Sequence, residues 1–437
     1  MKPGTIRLTP AGWTIAASVA VLTLIGVGSI YVTDTHYVAG NDGPANAVKQ
    51  LVRVLVGLVL WAGVIRLGYQ NVGRFAYGLF VVAVVALVPL LVAKMMHSGF
   101  GGLIAPRNGA YRWIKLPGFL FQPSELLKIA FVLVLAWYLR FRKNYRRFLG
   151  LLLPFAVSTI PLVLILMEPD LGTALLLLPV LFVMLFAAGA RVWHLAVIAT
   201  VGIAVVPFAW KHAHDYQRLR VTSVLLQSDR LRQEVIAHPD SYGSLATKRQ
   251  ALEWAGSSGY QLVHSKNALG SGGILGNGWG RGIYAKNNLL PDRHNDFVFA
   301  MIGHQWGLVG CVIVLSCYAA IVLAGVRIAS GTLEPFARLL AVGVVTLLSS
   351  QALINVGMSV GLLPITGMTL PFVSYGGSSL LCNFVAVALL VSVSQYRPFL
   401  LTRSPFTFQR EHTESLTAPQ HVADQQEGPS VAVPARS

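Results

Sequence analysis

The chain has 437 residues, 54% of them hydrophobic and only 12% charged, with a mean hydropathy of +0.62. A soluble domain carries roughly a quarter charged residues, so a water-soluble enzyme, a secreted disulfide scaffold and a disordered chain are excluded. The formal net charge is +17, yet no basic stripe with interleaved aromatics is present, so the charge reads as membrane orientation and no nucleic-acid partner is expected.

Ten apolar stretches come close to the roughly 20 residues that a helix needs to cross a bilayer. In chain order they are 12–33, 46–66, 74–95, 123–140, 148–167, 171–190, 192–210, 296–326, 336–358 and 377–396. The fourth is short, and the eighth is long enough to tilt or to include a re-entrant part. No clear small-residue cleavage site follows the first, which is expected to stay as an anchor. Cys311, Cys317 and Cys382 lie in apolar runs, an odd count without metal-ligand spacing.

Lys and Arg in the short loops set the direction. With a cytoplasmic N-terminus, the inner segments hold Lys2 and Arg7, Arg66 and Arg74, the run Arg140, Arg142, Lys143, Arg146 and Arg147, then Arg191, Arg327 and Arg338. The outer segment 34–45 has neither Lys nor Arg, and only 96–122 departs mildly, with Arg107, Arg112 and Lys115. The expected fold class is an all-α polytopic membrane protein of about ten transmembrane helices, with a large extracytoplasmic loop between helices seven and eight and both termini cytoplasmic. Residues 1–400 form the membrane domain, and the polar segment 401–437 reads as a disordered cytoplasmic tail.

The loop 211–295 holds eleven basic residues against six acidic ones, a surface suited to an anionic ligand or lipid head group. Long loops are exempt from the orientation bias. A loop of this length usually carries function.

Polar groups at membrane depth are costly and point to a site. Gln122-Pro123-Ser124-Glu125 reads as a helix start, where Glu125 favours the positive end of the dipole or serves function equally well. Lys128, one turn deeper, needs an anionic partner. In Glu168-Pro169-Asp170-Leu171-Gly172-Thr173, Asp170 either caps the next helix or binds a cation or Lys128. The run Gly270-Ser271-Gly272-Gly273 through Gly282 is either a flexible loop or a phosphate cradle flanked by Lys266, Arg281 and Lys286. Asp296, just ahead of an apolar helix at the outer boundary, fits an N-cap and a general base equally. The stretch from Asn355 to Ser379 carries Pro364, Pro371 and several glycines and reads as an irregular re-entrant segment, viable at membrane depth only when buried in protein or lining a cavity.

Together these clusters resemble the SEDS family (shape, elongation, division and sporulation), to which RodA and FtsW belong. The resemblance rests on Gly109-Ala110-Tyr111-Arg112-Trp113-Ile114, Gln122-Pro123-Ser124-Glu125, Pro169-Asp170-Leu171-Gly172-Thr173, Ser271-Gly272-Gly273, His294-Asn295-Asp296-Phe297 and Pro371-Phe372-Val373-Ser374-Tyr375-Gly376-Gly377-Ser378-Ser379. Asn355-Val356-Gly357-Met358 and Tyr216-Gln217-Arg218-Leu219-Arg220 lean toward the RodA branch, hence toward elongation and cell-shape control. The resemblance implies a ten-helix glycosyltransferase that polymerises lipid II into peptidoglycan. It places the catalytic acid at Asp296 and substrate contacts at Trp113, Glu125, Lys128, Asp170, Lys266, Ser271, Gly272, Arg281, Ser374 and Tyr375. The implied partners are lipid II, the undecaprenyl pyrophosphate-linked glycan, a class B penicillin-binding protein and other elongation or division proteins. No organic cofactor is expected; a divalent cation, Mg2+ or Mn2+, is the candidate to assist the leaving group. The implied location is the bacterial inner membrane. The alternatives are a flippase of the lipid-linked precursor and a non-catalytic scaffold.

The chain departs from the family at Asn277, where Lys is common, and at His304-Gln305, where Glu-Glu is common. Tyr111, Asp292 and Asn295 stand for common Arg, Glu and Thr, and residues 229–258 look like an insertion.

Overall fold

The computed structural model describes residues 8–395, apart from 38–44, 97–101, 108–109, 117–118, 143–145, 169, 213–214, 244, 257–258 and 288. The expected tail 401–437, Gly109, Lys143 and Pro169 lie outside the described residues.

The chain opens with α1 (Pro10–Tyr37), α2 (Ala45–Leu67), a short α3 (Tyr69–Arg74) and α4 (Ala76–Met95). After a small sheet come α5 (Pro123–Leu139), α6 (Phe148–Met167), α7 (Leu171–Ala188) and α8 (Val192–His212). The bundle ends with α15 (Val298–Ser330), α16 (Pro335–Val360) and α17 (Gly377–Gln395). Helices therefore stand at all ten expected positions, and the protein is a polytopic membrane protein. By length and composition, 8 of them reach across a bilayer. The other two fall short: α5 has 17 residues and carries Glu125 and Lys128, and the apolar run of α8 is Val192–Phe208.

Their apolar side chains have two destinations. In α16 and α17 most of the span is inside the protein, whereas α2, α4 and α6 turn most of theirs outward, to lipid. An outward Val or Leu costs nothing there, because hydrocarbon is as apolar as the side chain. The core runs through α5, α7, α16 and α17, with Phe131, Leu133, Leu181, Leu340 and Leu389 fully buried.

Two parts are not membrane helix. The segment 104–121 folds as an antiparallel sheet of β1 (Ile104–Arg107), β2 (Ala110–Leu116) and β3 (Phe119–Phe121), in the order β1-β2-β3, a small addition to an otherwise helical fold. Ile114 of β2 pairs with both Ile104 and Phe121, which fixes the register. The long loop is itself folded, as α9 (Asp215–Leu225), α10 (Asp229–Ala237), α11 (Pro239–Tyr242), α12 (Lys248–Leu252), α13 (Tyr260–Ser271) and α14 (Ile283–Lys286). It has a separate core containing Leu226, Val235, Trp254, Leu262 and Phe297. The insertion supplies part of this core. Trp254 donates its indole N–H to Ser223 O at 2.8 Å and lies under the Arg232 guanidinium, and Thr247 with Gln250 forms a reciprocal cap on α12.

The helix α15 is broken at Gly307, whose φ of 63° and ψ of −156° are non-helical. The break divides it into a buried piece, 298–306, and a spanning piece, 308–330. This accounts for the excess length of the eighth apolar stretch.

Candidate active site

Several chain segments converge at one end of the bundle. Pro123 starts α5, and Glu125 and Lys128 follow on its first turns, both buried. Lys128 Nζ lies 2.7 Å from Glu125 Oε2 and 3.5 Å from Gln351 Oε1 of α16. The anion that Lys128 requires is thus its own neighbour one turn back and not Asp170. Two charges this deep persist only as a pair.

Asp170 caps α7. It accepts from Thr173 N at 3.3 Å and from Thr173 Oγ1 at 3.0 Å, and stands 3.8 Å from Arg112 Nη1 of β2. Arg112 also donates from Nε to the backbone oxygen of Glu168 at 3.0 Å. The Glu168 carboxyl is pushed up to about 9 by burial and then by Asp170, so at neutral pH it holds its proton and adds no negative charge beside Asp170.

Asp296 is not the cap of α15. The capping position is Phe297, with no side-chain bond to the helix. The carbonyls of three successive residues are instead held from α16 and the irregular segment before α17. Tyr375 N donates to His294 O at 2.8 Å, Ser374 Oγ to Asn295 O at 2.5 Å, and Asn355 Nδ2 to Asp296 O at 2.9 Å. Asn355 also donates to Met368 O at 2.6 Å, so one buried amide joins both strands of the site. The segment is strained where it turns, with buried Phe372 at a φ of 65°. A bulky residue in the left-handed region costs about 1–3 kcal/mol and persists only where its surroundings over-determine it.

These elements enclose a cavity of about 220 Å³. Of the expected site residues, Trp113, Glu125, Lys128, Asp170, Asp296 and Tyr375 line it. Ser374 is not among the lining residues and acts on the backbone behind Asp296. Arg53, Arg112 and Gln351 complete the wall; the site roster read from sequence omitted them. A signal was present, since Arg53 follows Lys49 by four residues, and Asn355 follows Gln351 by four, inside apolar stretches. Arg53 lies 4.5 Å from the ring centre of Tyr375, and among the described residues no carboxylate is within ion-pair range of it.

Asp296 lines the cavity and is half-buried. Its carboxyl is pushed from an ordinary 3.8 up to about 7, first by burial and next by the negative charge of Asp292; Arg220 and Arg112 oppose the rise. A carboxylate poised near neutral pH is a competent general base. The cavity's other acids are committed, Glu125 to Lys128 and Asp170 to Arg112 and Thr173. Among the described residues no group of three His, Cys, Asp or Glu side chains could hold a metal ion.

A second, apolar hollow of about 430 Å³ adjoins the first. It is lined by Val48, Lys49, Val52 and Val56 of α2 with Phe119 and Leu381, and Arg53 belongs to both walls.

Lys266, Ser271, Gly272 and Arg281 do not line the cavity. Lys266 Nζ bonds Gln227 Oε1 at 3.3 Å, and Arg281 is exposed. The glycine-rich run is packed against the break in α15. A Cβ at Gly272 would stand 1.9 Å from Gly303 O, and one at Gly276 2.1 Å from Gln305 O. The amides that would cradle a phosphate are used: Asn277 N donates to His304 O and Gly278 N to Gln305 O, both at 3.0 Å. The departures at positions 277 and 304 meet here, since Asn277 Nδ2 bonds His304 O at 3.2 Å and Ser271 Oγ lies 2.7 Å from His304 Nδ1.

Eight membrane-spanning helices, with a half-buried carboxylate in a polar cavity beside an apolar hollow, define a polytopic membrane protein with a site for chemistry at one end of its bundle. The family of cell cycle proteins comprising FtsW, RodA and SpoVE matches residues 11–398, and the chain belongs to this family. A relative in Trichlorobacter lovleyi, called a probable peptidoglycan glycosyltransferase FtsW, is 34% identical over 89% of this chain and 94% of its own. The peptidoglycan glycosyltransferase MrdB of Escherichia coli is 32% identical over 79% and 91%. A chain from a peptidoglycan synthase complex, solved to describe how polymerization and crosslinking are coordinated, has a TM-score of 0.69 at 27% identity, covering 90% of this chain and 100% of that one. The rod shape determining protein RodA of Thermus thermophilus shares the fold, with a TM-score of 0.59 over 88% and 96%. Identities of 34% and 32% to relatives with the two different names do not favour either branch, so the leaning toward RodA gains no support from them.

Proposed function

We propose that this protein is a peptidoglycan glycosyltransferase of the bacterial cytoplasmic membrane, both termini cytoplasmic, that polymerises lipid II at its outer face. The observation that carries the reading is the shared wall at Arg53: a polar cavity holding Asp296 opens beside an apolar hollow on α2. An amphiphile with a charged pyrophosphate between sugar and polyprenyl chain fits that sequence of surfaces. Family membership and relatives named for this activity support it.

In the reaction, the Asp296 carboxylate takes the proton from the 4-hydroxyl of the acceptor sugar. The freed oxygen bonds to the anomeric carbon of the growing glycan, and the bond from that carbon to the pyrophosphate breaks. Arg53, having no carboxylate partner among the described residues, offers charge to the departing pyrophosphate, with Arg112 beside it. Trp113 lines the wall as an apolar face for a sugar ring. A class B penicillin-binding protein is the proposed partner, supported by the likeness to a synthase complex.

The test is polymerisation of lipid II by the purified protein with that partner. Asp296→Asn is expected to lose about 10²–10⁴-fold in rate, the usual contribution of a positioned base. Polymer at the wild-type rate would overturn the assignment, and transfer of labelled lipid II across vesicles without polymer would make the protein a flippase.

A further inference from the structure

The glycine-rich run has an outer face that the reaction does not use. Ile274 is 70% exposed and Leu275 79%, beside Trp279 and Ile283, which are also exposed. Large apolar side chains at the tip of a hydrated loop would be costly and would invite aggregation. We propose that this run is seated in the outer leaflet of the membrane, with Ile274 and Leu275 among phospholipid acyl chains.

Three features carry this. The first is depth. Trp279 packs against α1 at Gly28, where an added Cβ would meet its ring at 3.4 Å. Gly28 lies within the spanning stretch Pro10–Val32, about 27 Å along the helix from Pro10 at 1.5 Å per residue, inside a hydrocarbon layer of roughly 30 Å. The run is thus held at the height of the outer leaflet, not above it.

The second is continuity. The run lies against the first turn of the spanning piece 308–330. Leu308 N donates to Gly273 O at 2.9 Å and Val309 N to Ile274 O at 3.2 Å. Leu308, Val309, Val312 and Ile313 are exposed apolar residues of a membrane-crossing helix. Ile274 and Leu275 extend that lipid-facing band by one step.

The third is backbone satisfaction. Irregular backbone cannot face hydrocarbon with open polar groups. Here the break at Gly307 frees groups in α15 and the run takes them up: His304 O and Gln305 O accept from the run, and Leu308 N and Val309 N donate to it. The glycines permit this closeness, since Gly307 would place a Cβ 2.4 Å from Gly276 N. Trp279 and Trp306, with ring centres 6.4 Å apart, stand where indoles favour the water–lipid boundary. The seat therefore fixes the height of 298–306, the piece that follows Asp296, relative to the head groups.

The test uses the unmodified chain in vesicles of phosphatidylethanolamine and phosphatidylglycerol doped with a phospholipid bearing a diazirine on its acyl chain. After irradiation, adducts are mapped by mass spectrometry, with and without the partner synthase. Adducts are expected on Ile274 and Leu275 as on 308–313, and none on Leu252, an exposed apolar residue of α12 in the extracytoplasmic part. Labelling of 308–313 with none at Ile274 or Leu275 would overturn the proposal. So would labelling there that vanishes when the partner is added, since the face would then belong to a protein. The readout needs no turnover, so it stands apart from the assignment of Asp296.

Discussion

The cavity wall and the glycine-rich run are both polar or flexible sequence inside an apolar chain, and they end in opposite roles. Around Asp296, side chains are paired with each other or with backbone carbonyls, which leaves a hollow between them. Along 272–282, the backbone itself is paired with the broken helix, and its glycines close against that helix. Conspicuous glycine is therefore weaker evidence of a ligand than a buried charge whose partner must be found.

Several measurements bear on this contrast. The largest effect is expected from Lys128→Ala, which strands Glu125 in a buried place; about 3–5 kcal/mol of stability should go, seen as a lowered unfolding temperature in detergent. If the unfolding temperature stayed at the wild-type value, the pair would be solvated and the cavity wall misread. Next, Arg53→Ala should remove a charge-assisted contact worth about 1.5–3 kcal/mol, visible as a lowered kcat/KM for lipid II. Third, Gly276→Ala should cost about 1–3 kcal/mol through overpacking, with activity falling only as far as folded protein does.

The pH dependence comes next. With Asp296 titrating at about 7, the rate should fall roughly tenfold for each pH unit below that value. Stability runs the other way. A raised carboxyl stabilises the fold fully below its ordinary 3.8, and the contribution is lost as the pH rises through about 7. Asp296→Asn should therefore unfold at a higher temperature than wild type at pH 8 while making little polymer. The smallest effect is expected from Arg281→Ala, with KM unchanged within about twofold, as for an exposed residue away from the site; a tenfold rise would return the glycine-rich run to the substrate path.

Much of the architecture was legible because hydropathy and loop charge report directly on a bilayer. The ten helix positions follow from it, while α5 falls short by its length of 17 residues. The sheet 104–121 escaped because its strands are only three to seven residues long, too short for an alternation to stand out. The break at Gly307 escaped because hydropathy is blind to φ. Within the site, the Glu125–Lys128 pair was available from a spacing of three. The ion pair between Arg112 and Asp170, 58 positions apart, needed the fold, as did the meeting of Asn277 with His304. The folded insertion was hidden for the same reason: Trp254 is explained only by Ser223 and Arg232.

The shortness of α5 has one more consequence. Its 17 residues measure about 25 Å against a hydrocarbon slab of roughly 30 Å, and the cavity floor rests on its upper turns. Under the proposed function, sugar coupling would thus take place in a sunken basin, lower than the surrounding lipid phosphates. The polyprenyl carrier of that reading would deliver its cargo there while remaining fully dissolved among its neighbours, without being hoisted toward water at any stage of the cycle.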